Sequence, residues 1–446
     1  MPISVVDTPR EGFLPDWVDP VHESDLIERR RAIHMTPEVG WCEFLSTARA
    51  AEVLSGLGFE VKVGREILQP DYVRGRDPEE AQHAELYAKD QGVPRQLLDR
   101  MGGLTGCVAV FDTKRPGKTV CIRAELDALY VSEPEDPEHL PARENFHSMR
   151  PGVMHACGHD GHQAVLLELG RFIAANKERL TGKIKFIFQP AEEVALGALD
   201  MMADGVLDGV DGMFGMHVWS ELPAGQVSLE AGGRMAATDQ FEITITGKSG
   251  HAALPHKCVD ATPCMAATIM DLQTVVSRQV NPVSPLVLTV GKVTSGTRWN
   301  VISGSAKIEG TVRSLDSESR DMAEESVKRI AANTAASYRC TAEVKYDRLC
   351  DNVYNDPEIT AFGREAAKTI LGPDALPNTP PTMGGEDFGF YCSKVKAAFA
   401  LFGVGNAACN ACYPQHSDHY TVDESTLVKG ALLSVQTALN FLNANK

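Results

Sequence analysis

The eight residues His155-Ala156-Cys157-Gly158-His159-Asp160-Gly161-His162 constrain this chain more than any other stretch. They crowd three histidines and a thiol together, in a sequence that has no zinc-ribbon spacing. Structural zinc sites close with four tightly spaced Cys or His ligands, whereas catalytic sites gather ligands from distant segments and keep one position open. Distant donors are present: the pair Glu192-Glu193 after Phe188-Gln189-Pro190-Ala191, His217 in Met216-His217-Val218, and His416 in Gln415-His416-Ser417. Cys157, His159, one of the paired carboxylates, His217 and His416 together predict a site for two metal ions and a hydrolytic chemistry. His217 and His416 would each pass for an ordinary buried or loop histidine if taken alone; only the constellation singles them out.

Bulk properties bound the rest. A chain of 446 residues exceeds one ordinary core, so two domains are expected. A formal charge of −17 argues against a nucleic-acid partner, because phosphate backbones need a basic face. No stretch approaches the roughly 20 apolar residues of a membrane span, and the first residues lack a secretory pattern. Eleven cysteines, scattered through apolar segments such as those around Cys107 and Cys121, are no disulfide framework and predict a cytoplasmic protein. Cys409 and Cys412 form a lone C-x-x-C with no second pair to complete a zinc site.

Periodicity organises the chain into two parts. Residues 24–58 read as helical, with Gly56 and Gly58 as the stop signal, and the charged, poorly periodic 68–100 as an insertion of surface helices. Short buried strands are expected at 108–111, 119–123 and 183–188, with a helix at 163–175 for which Asp160 is the candidate cap. Alternating strands and helices predict an α/β, mostly parallel sheet with its site at the carboxyl ends of the strands. There Glu125-Leu126-Asp127, Glu192-Glu193 and His217 each follow a predicted strand. From residue 239 to 349 the order changes to βαββαβ: strands at 241–246, 286–293, 306–313 and 341–346, helices at 261–280 and 316–338. This is a ferredoxin-like α+β unit inserted between residues 1–238 and 350–446, because His416 must rejoin the first segment to complete the site.

In a loop, adjacent side chains diverge, so one of Glu192 and Glu193 faces a metal while the other is free to take a proton from a water. His251 lies in a loop leaving the first strand of the insertion, in Gly250-His251-Ala252-Ala253. The nearby Gly247-Lys248-Ser249 lacks the upstream glycine of a phosphate loop. Neither G-x-S-x-G nor H-E-x-x-H occurs, which leaves serine-hydrolase and single-zinc-protease readings without support.

At these residues the chain resembles the M20 metallopeptidase family, amidohydrolase branch (subfamily D). The stretches 30–40, 154–162, 189–193, 383–388 and His416-Ser417-Asp418 carry the likeness, which spans essentially the whole chain. The insertion at 68–103 is most similar to the p-aminobenzoyl-glutamate hydrolase A-subunit group. The resemblance implies that Cys157 bridges two divalent metals (manganese or zinc, with cobalt or nickel as further candidates). His159 and His217 would complete one metal, Glu193 and His416 the other, with Glu192 as general base. It further implies that Asp127 orients a ligand, that His251 stabilises the oxyanion, often across a dimer, and that Asn300 holds a substrate carboxylate. Glu125 stands where the branch has Asp, at a position that is no ligand, and Ser303 stands where it has proline. Arg298 and Arg234 are candidates for binding an acidic side chain, since a guanidinium fork matches a carboxylate.

The expected activity is hydrolysis of the amide in N-acyl or N-aroyl amino acids, with p-aminobenzoyl-glutamate conjugates foremost, by a metal-bridged water and Glu192. A homodimer through the inserted lid domain is expected; a further option is a second, homologous subunit. The rivals are a dipeptidase or aminopeptidase of the same fold, which would need a group for a free ammonium, and a non-catalytic partner subunit.

Overall fold

The computed structural model describes residues 21–194 and 196–445, which divide into two compact units. Of the described residues, one unit takes those within 21–232, Asn355–Thr379 and 394–445; the other comprises Gly233–Tyr354 and Pro380–Ser393.

The first unit is built on a seven-stranded sheet. Its centre is parallel: Lys183–Gln189 pairs with Thr119–Glu125, which pairs with Gly212–Pro223, which pairs with Ala397–Gly405. Antiparallel strands flank this centre, Cys107–Asp112 and Glu60–Val63 on one side and Val227–Ser228 on the other. In Lys183–Gln189 every residue after the first is buried, as expected for a parallel strand covered on both faces. Helices His159–Ala175 and Leu427–Ala444 pack on this sheet, and Glu23–His34 packs against the first of them.

Several local expectations needed correction. The helical stretch 24–58 is two helices, Glu23–His34 and Phe44–Gly56, parted by a turn that contains Pro37 and Gly40. The 68–100 stretch does carry two helices, Pro78–Asp90 and Arg95–Met101, but they are not surface decoration. Their Ala81, Ala84, Ala88, Leu97, Leu98 and Met101 join the main core. The helix expected from 163 begins at His159, so Asp160 lies inside its first turn and caps nothing at residue 163. Instead Asp160 accepts from Arg30 Nε and pairs with His34 Nδ1, both at 2.8 Å. His217 sits within the strand Gly212–Pro223 rather than after it, just past the last pairing with Thr119–Glu125, Arg123 opposite Gly215.

The second unit is a four-stranded antiparallel sheet in the order Leu286–Ser295, Ser305–Ser314, Ala237–Thr246, Thr341–Cys350. Phe241, Ile243 and Ile245 alternate into its core at 0% exposure, and each buried side chain contributes roughly 1.5–3 kcal/mol. The helices Ala261–Thr274 and Ser317–Ser337 cover that face. Asp316 caps the second, accepting from Ser319 N–H at 2.7 Å, a contact of the kind that contributes about 1 kcal/mol. The βαββαβ order and the sheet order are those of a ferredoxin-like unit.

Candidate metal centre

Five donors converge at the carboxyl end of the parallel sheet in the first unit. Gly158, at φ 87°, turns the chain between Cys157 and His159, where a Cβ would stand 2.4 Å from Val218 Cγ2. Only glycine fits, for conformation and for space alike. His159 opens the following helix, and its Nδ1–H donates to the Asp127 carbonyl at 2.8 Å. Its Nε2 is turned away from that bond and is buried without a hydrogen-bond partner. His217 follows the same logic: Nδ1–H donates to the Val218 carbonyl at 2.7 Å, and Nε2 lies 3.4 Å from Cys157 Sγ. Tying one ring nitrogen to an acceptor fixes the tautomer and presents the other to a metal.

Glu193 donates its backbone N–H to Asp127 Oδ2 at 2.8 Å, so Asp127 steadies both His159 and Glu193. Glu193 Oε1 is buried without a hydrogen-bond partner, and His416 Nε2 stands 3.5 Å away, too far for a strong bond. His416 adopts the left-handed conformation, φ 68°, uncommon for a residue with a Cβ. Two bonds hold the segment in place: His416 N–H to the Ala156 carbonyl at 2.8 Å and Gln415 Nε2 to the Val218 carbonyl at 3.1 Å. Its ring is about half exposed, which makes it the solvent side of the cluster.

Donor atoms of Cys157, Glu193 and His416 lie within 4.8 Å of one another, as do those of His159, Glu192 and Glu193. A third crowd, Glu125, His159, His162 and His217, also meets that distance, but two of its members have no donor to spare. His162 Nε2 accepts from Val218 N–H at 2.9 Å, so its Nδ1 carries the proton and donates to Glu125 Oε2 at 2.7 Å. Arg123 occupies Glu125 Oε1. Glu125 and His162 thus brace the end of the His217 strand, a role that sequence reasoning missed. His159 and His162 share a helix face at i, i+3, and that spacing was the available signal.

The electrostatics of the cluster favour a bound cation. Burial, then the negative charges of Glu193 and Glu192, hold the Cys157 thiol well above its ordinary range. Burial also holds His217 well below its ordinary range, with His162 adding to it, so its imidazole is neutral. For His159, burial lowers the value, but the Asp127 bond and the charges of Glu125, Asp127 and Glu193 outweigh it and push it up to about 10. Cations suit such a place: a coordinated thiol deprotonates outright, and the orphaned Nε2 and Oε1 gain partners. The thiolate, imidazole and carboxylate donors fit two borderline divalent ions.

The other candidates lie in the second unit. His251 is exposed and pairs across a short ladder with Val301, and its Nδ1 accepts from Ala253 N–H at 3.0 Å. Asn300 is its neighbour, its carbonyl accepting from Ala252 N–H at 3.2 Å, with Oδ1 buried and unpartnered. Arg298 is exposed, whereas Arg234 is buried and donates to the Pro380 carbonyl at 3.4 Å. Cys409 and Cys412 are unpaired and join no metal-competent group among the described residues.

Behind the cluster a buried chain of charges runs through His34, whose Nε2 meets Glu133 Oε1 at 2.9 Å while Nδ1 meets Asp160. Burial lowers the His34 value, but the two carboxylates outweigh it and raise it to about 9. The folded value exceeds the ordinary 6.5. The imidazolium therefore stabilises the fold fully below about pH 6.5, by an amount on the order of 3 kcal/mol, and this fades as pH rises through about 9. Thermal denaturation between about pH 6 and 10 checks it: the melting temperature of the native protein should fall across that window. A His34→Gln protein should show a lower but flatter profile, and an equal slope in both would remove His34 as the cause.

Comparison with known proteins converges on one family. The model of peptidase family M20/M25/M40 matches residues 121–440. The chain is 34% identical over 427 residues to thermostable carboxypeptidase 2 of Saccharolobus solfataricus, covering 94% of this chain and 96% of that one. It is 35% identical over 423 residues to a Haemophilus influenzae homolog of the p-aminobenzoyl-glutamate hydrolase A-subunit, covering 93% and 97%. Among solved structures, the Bacillus subtilis YXEP protein, a dinuclear metal-binding M20 peptidase, superposes with a TM-score of 0.74 at 29% identity, covering 94% and 98%. The chain belongs to peptidase family M20/M25/M40 and is a hydrolase acting on amide bonds.

Proposed function

We propose that this enzyme hydrolyses the amide joining an acyl or aroyl group to an amino acid, with p-aminobenzoyl-glutamate-type conjugates as the leading substrate class. The observation that carries the reading is the turn at Glu192 and Glu193. It sets two adjacent carboxylates within 4.8 Å of His159, beside a thiol and two further imidazoles. Cys157, His159, His217, Glu193 and His416 would hold two divalent ions, manganese or zinc foremost. When bound, such ions polarise the amide carbonyl and acidify water. Glu192 takes the proton from the attacking water on its carboxylate and delivers it to the departing amine nitrogen, so water and amide become a carboxylic acid and an amine. Asp127 orients His159 and Glu193. His251 Nε2 donates to the developing oxyanion, and the Asn300 side chain holds the substrate carboxylate.

The relative named for an aminobenzoyl-glutamate substrate supports an acidic amino acid, and exposed Arg298 offers the matching fork. Buried Arg234, already bonded to Pro380, is the lesser candidate. The carboxypeptidase relative makes N-blocked peptides the competing substrates. Metal-reconstituted protein assayed on a panel of N-acyl and N-aroyl amino acids, N-blocked dipeptides and free dipeptides tests the reading. Aroyl-glutamates should be cleaved fastest and free dipeptides poorly. Exclusive cleavage of free dipeptides would replace the reading with a dipeptidase. Arg298→Ala should cut the preference for Glu over Ala conjugates about tenfold or more, the equivalent of one lost charge-assisted pair. An unchanged ratio in Arg298→Ala and Arg234→Ala together removes both.

Eleven unpaired thiols support a reducing compartment, the cytoplasm, and no helix among the described residues is long and apolar enough to cross a membrane. The edge strand Leu286–Ser295 and exposed Val283, Val287 and Val293 support a homodimer through the second unit, which sedimentation of the same preparation would read directly.

A further inference from the structure

The turn that carries Glu192 is held from both sides by carboxylates. On one side Asp127 Oδ2 accepts the Glu193 N–H at 2.8 Å. On the other, Glu43 Oε1 accepts the Ala191 N–H at 2.7 Å. Ala191 is fully buried and lies at φ 57°, a left-handed conformation that a residue with a Cβ keeps only where its surroundings impose it. Glu43 is itself fully buried, and its second oxygen accepts from Thr105 Oγ1 at 2.6 Å, so the carboxylate cannot swing away from Ala191. Further bonds fix the approach to the turn. The Gln189 carbonyl accepts from Leu126 N–H at 2.9 Å, and Thr47 Oγ1 accepts from Gly106 N–H at 2.8 Å next to Thr105. Glu192 is thus the one residue between two anchored amides.

We propose that Glu43 is a positioning residue for the reaction: by clamping Ala191 in its left-handed conformation it aims the Glu192 carboxylate. This rests on the general-base reading of Glu192. Glu43 is not among the converging donors, so its loss leaves the metal set intact while the base drifts. A displacement of about 1 Å in a reacting group costs on the order of 100-fold in rate.

The test compares full-length, metal-reconstituted Glu43→Ala, Glu43→Gln and Thr105→Val with the native protein, on whichever conjugate of the panel above the native protein cleaves fastest. Glu43→Ala should lose kcat by roughly 30- to 100-fold, with KM within about threefold and both metal ions retained. Glu43→Gln keeps an oxygen for the Ala191 amide and should recover kcat to within about threefold of native. Thr105→Val frees the second Glu43 oxygen in a nearly isosteric way and should cost about three- to tenfold in kcat. Native kcat in Glu43→Ala, or a loss that tracks loss of metal, overturns the proposal. If Glu43→Ala is recovered unfolded, an unchanged kcat in Thr105→Val overturns it. Glu192→Gln separates the two ideas: an active Glu192→Gln sinks the general-base reading, whereas an inactive Glu192→Gln beside a fully active Glu43→Ala sinks only the role of Glu43.

Discussion

Glu192→Gln protein should bind two metal ions with native affinity and lose kcat by roughly 100- to 10,000-fold, the range lost with a positioned general base. The substituted amide keeps the size and polarity of the side chain and cannot take a proton. The proposed ligands are Cys157, His159, Glu193, His217 and His416, and the Glu193 N–H bond to Asp127 does not involve the Glu192 side chain. Metal content by elemental analysis and kcat on the best conjugate check both halves. A near-native rate would remove Glu192 as the base, and a loss of metal would recast it as a ligand.

A second large effect is expected at Cys157. Its sulfur lies 3.4 Å from His217 Nε2 and also belongs to the group with Glu193 and His416, so it touches both halves of the cluster. Cys157→Ser removes the thiolate and leaves a hydroxyl that does not ionise near neutral pH. Changing mere supporting residues costs roughly 10- to 100-fold in metal affinity, so loss of a shared ligand should cost more than about 100-fold and affect both ions. Titration of the metal-free variant with zinc reads this directly. Loss of one ion with the other held at native affinity would show that the thiol serves a single metal.

How much of this was legible in the residues depends on the range over which each feature acts. Ile243 and Ile245 face the core while Glu242 and Thr244 face away, because a strand alternates every residue, and that alternation is written in the sequence. The parallel strand Lys183–Gln189 announced itself as an apolar run. The helix Pro78–Asp90 did not, since its buried face is Ala81, Ala84 and Ala88, too small to contrast with its charged neighbours. The turn between Glu23–His34 and Phe44–Gly56 carried its own signals, Pro37 and Gly40, which a search for helical periodicity overrides. In the cluster, the residue types that gather were visible one by one. What held them was not: Glu43 lies 148 residues from Ala191, and His162 lies 56 from Val218. No local pattern records a carboxylate or an imidazole reaching a distant backbone amide. Asp160 has the sequence position of a cap, since Asp near a helix start usually is one; burial beside Arg30 and His34 makes it an ion-pair partner instead.

The most direct measurement is an anomalous difference map from crystals of the zinc-loaded protein. Two peaks should appear, with Cys157 Sγ about 2.3 Å from each and the His159, Glu193, His217 and His416 donors completing the two shells. A lone peak elsewhere, or a Cys157 sulfur turned into apolar packing with no ion in reach, would contradict the account.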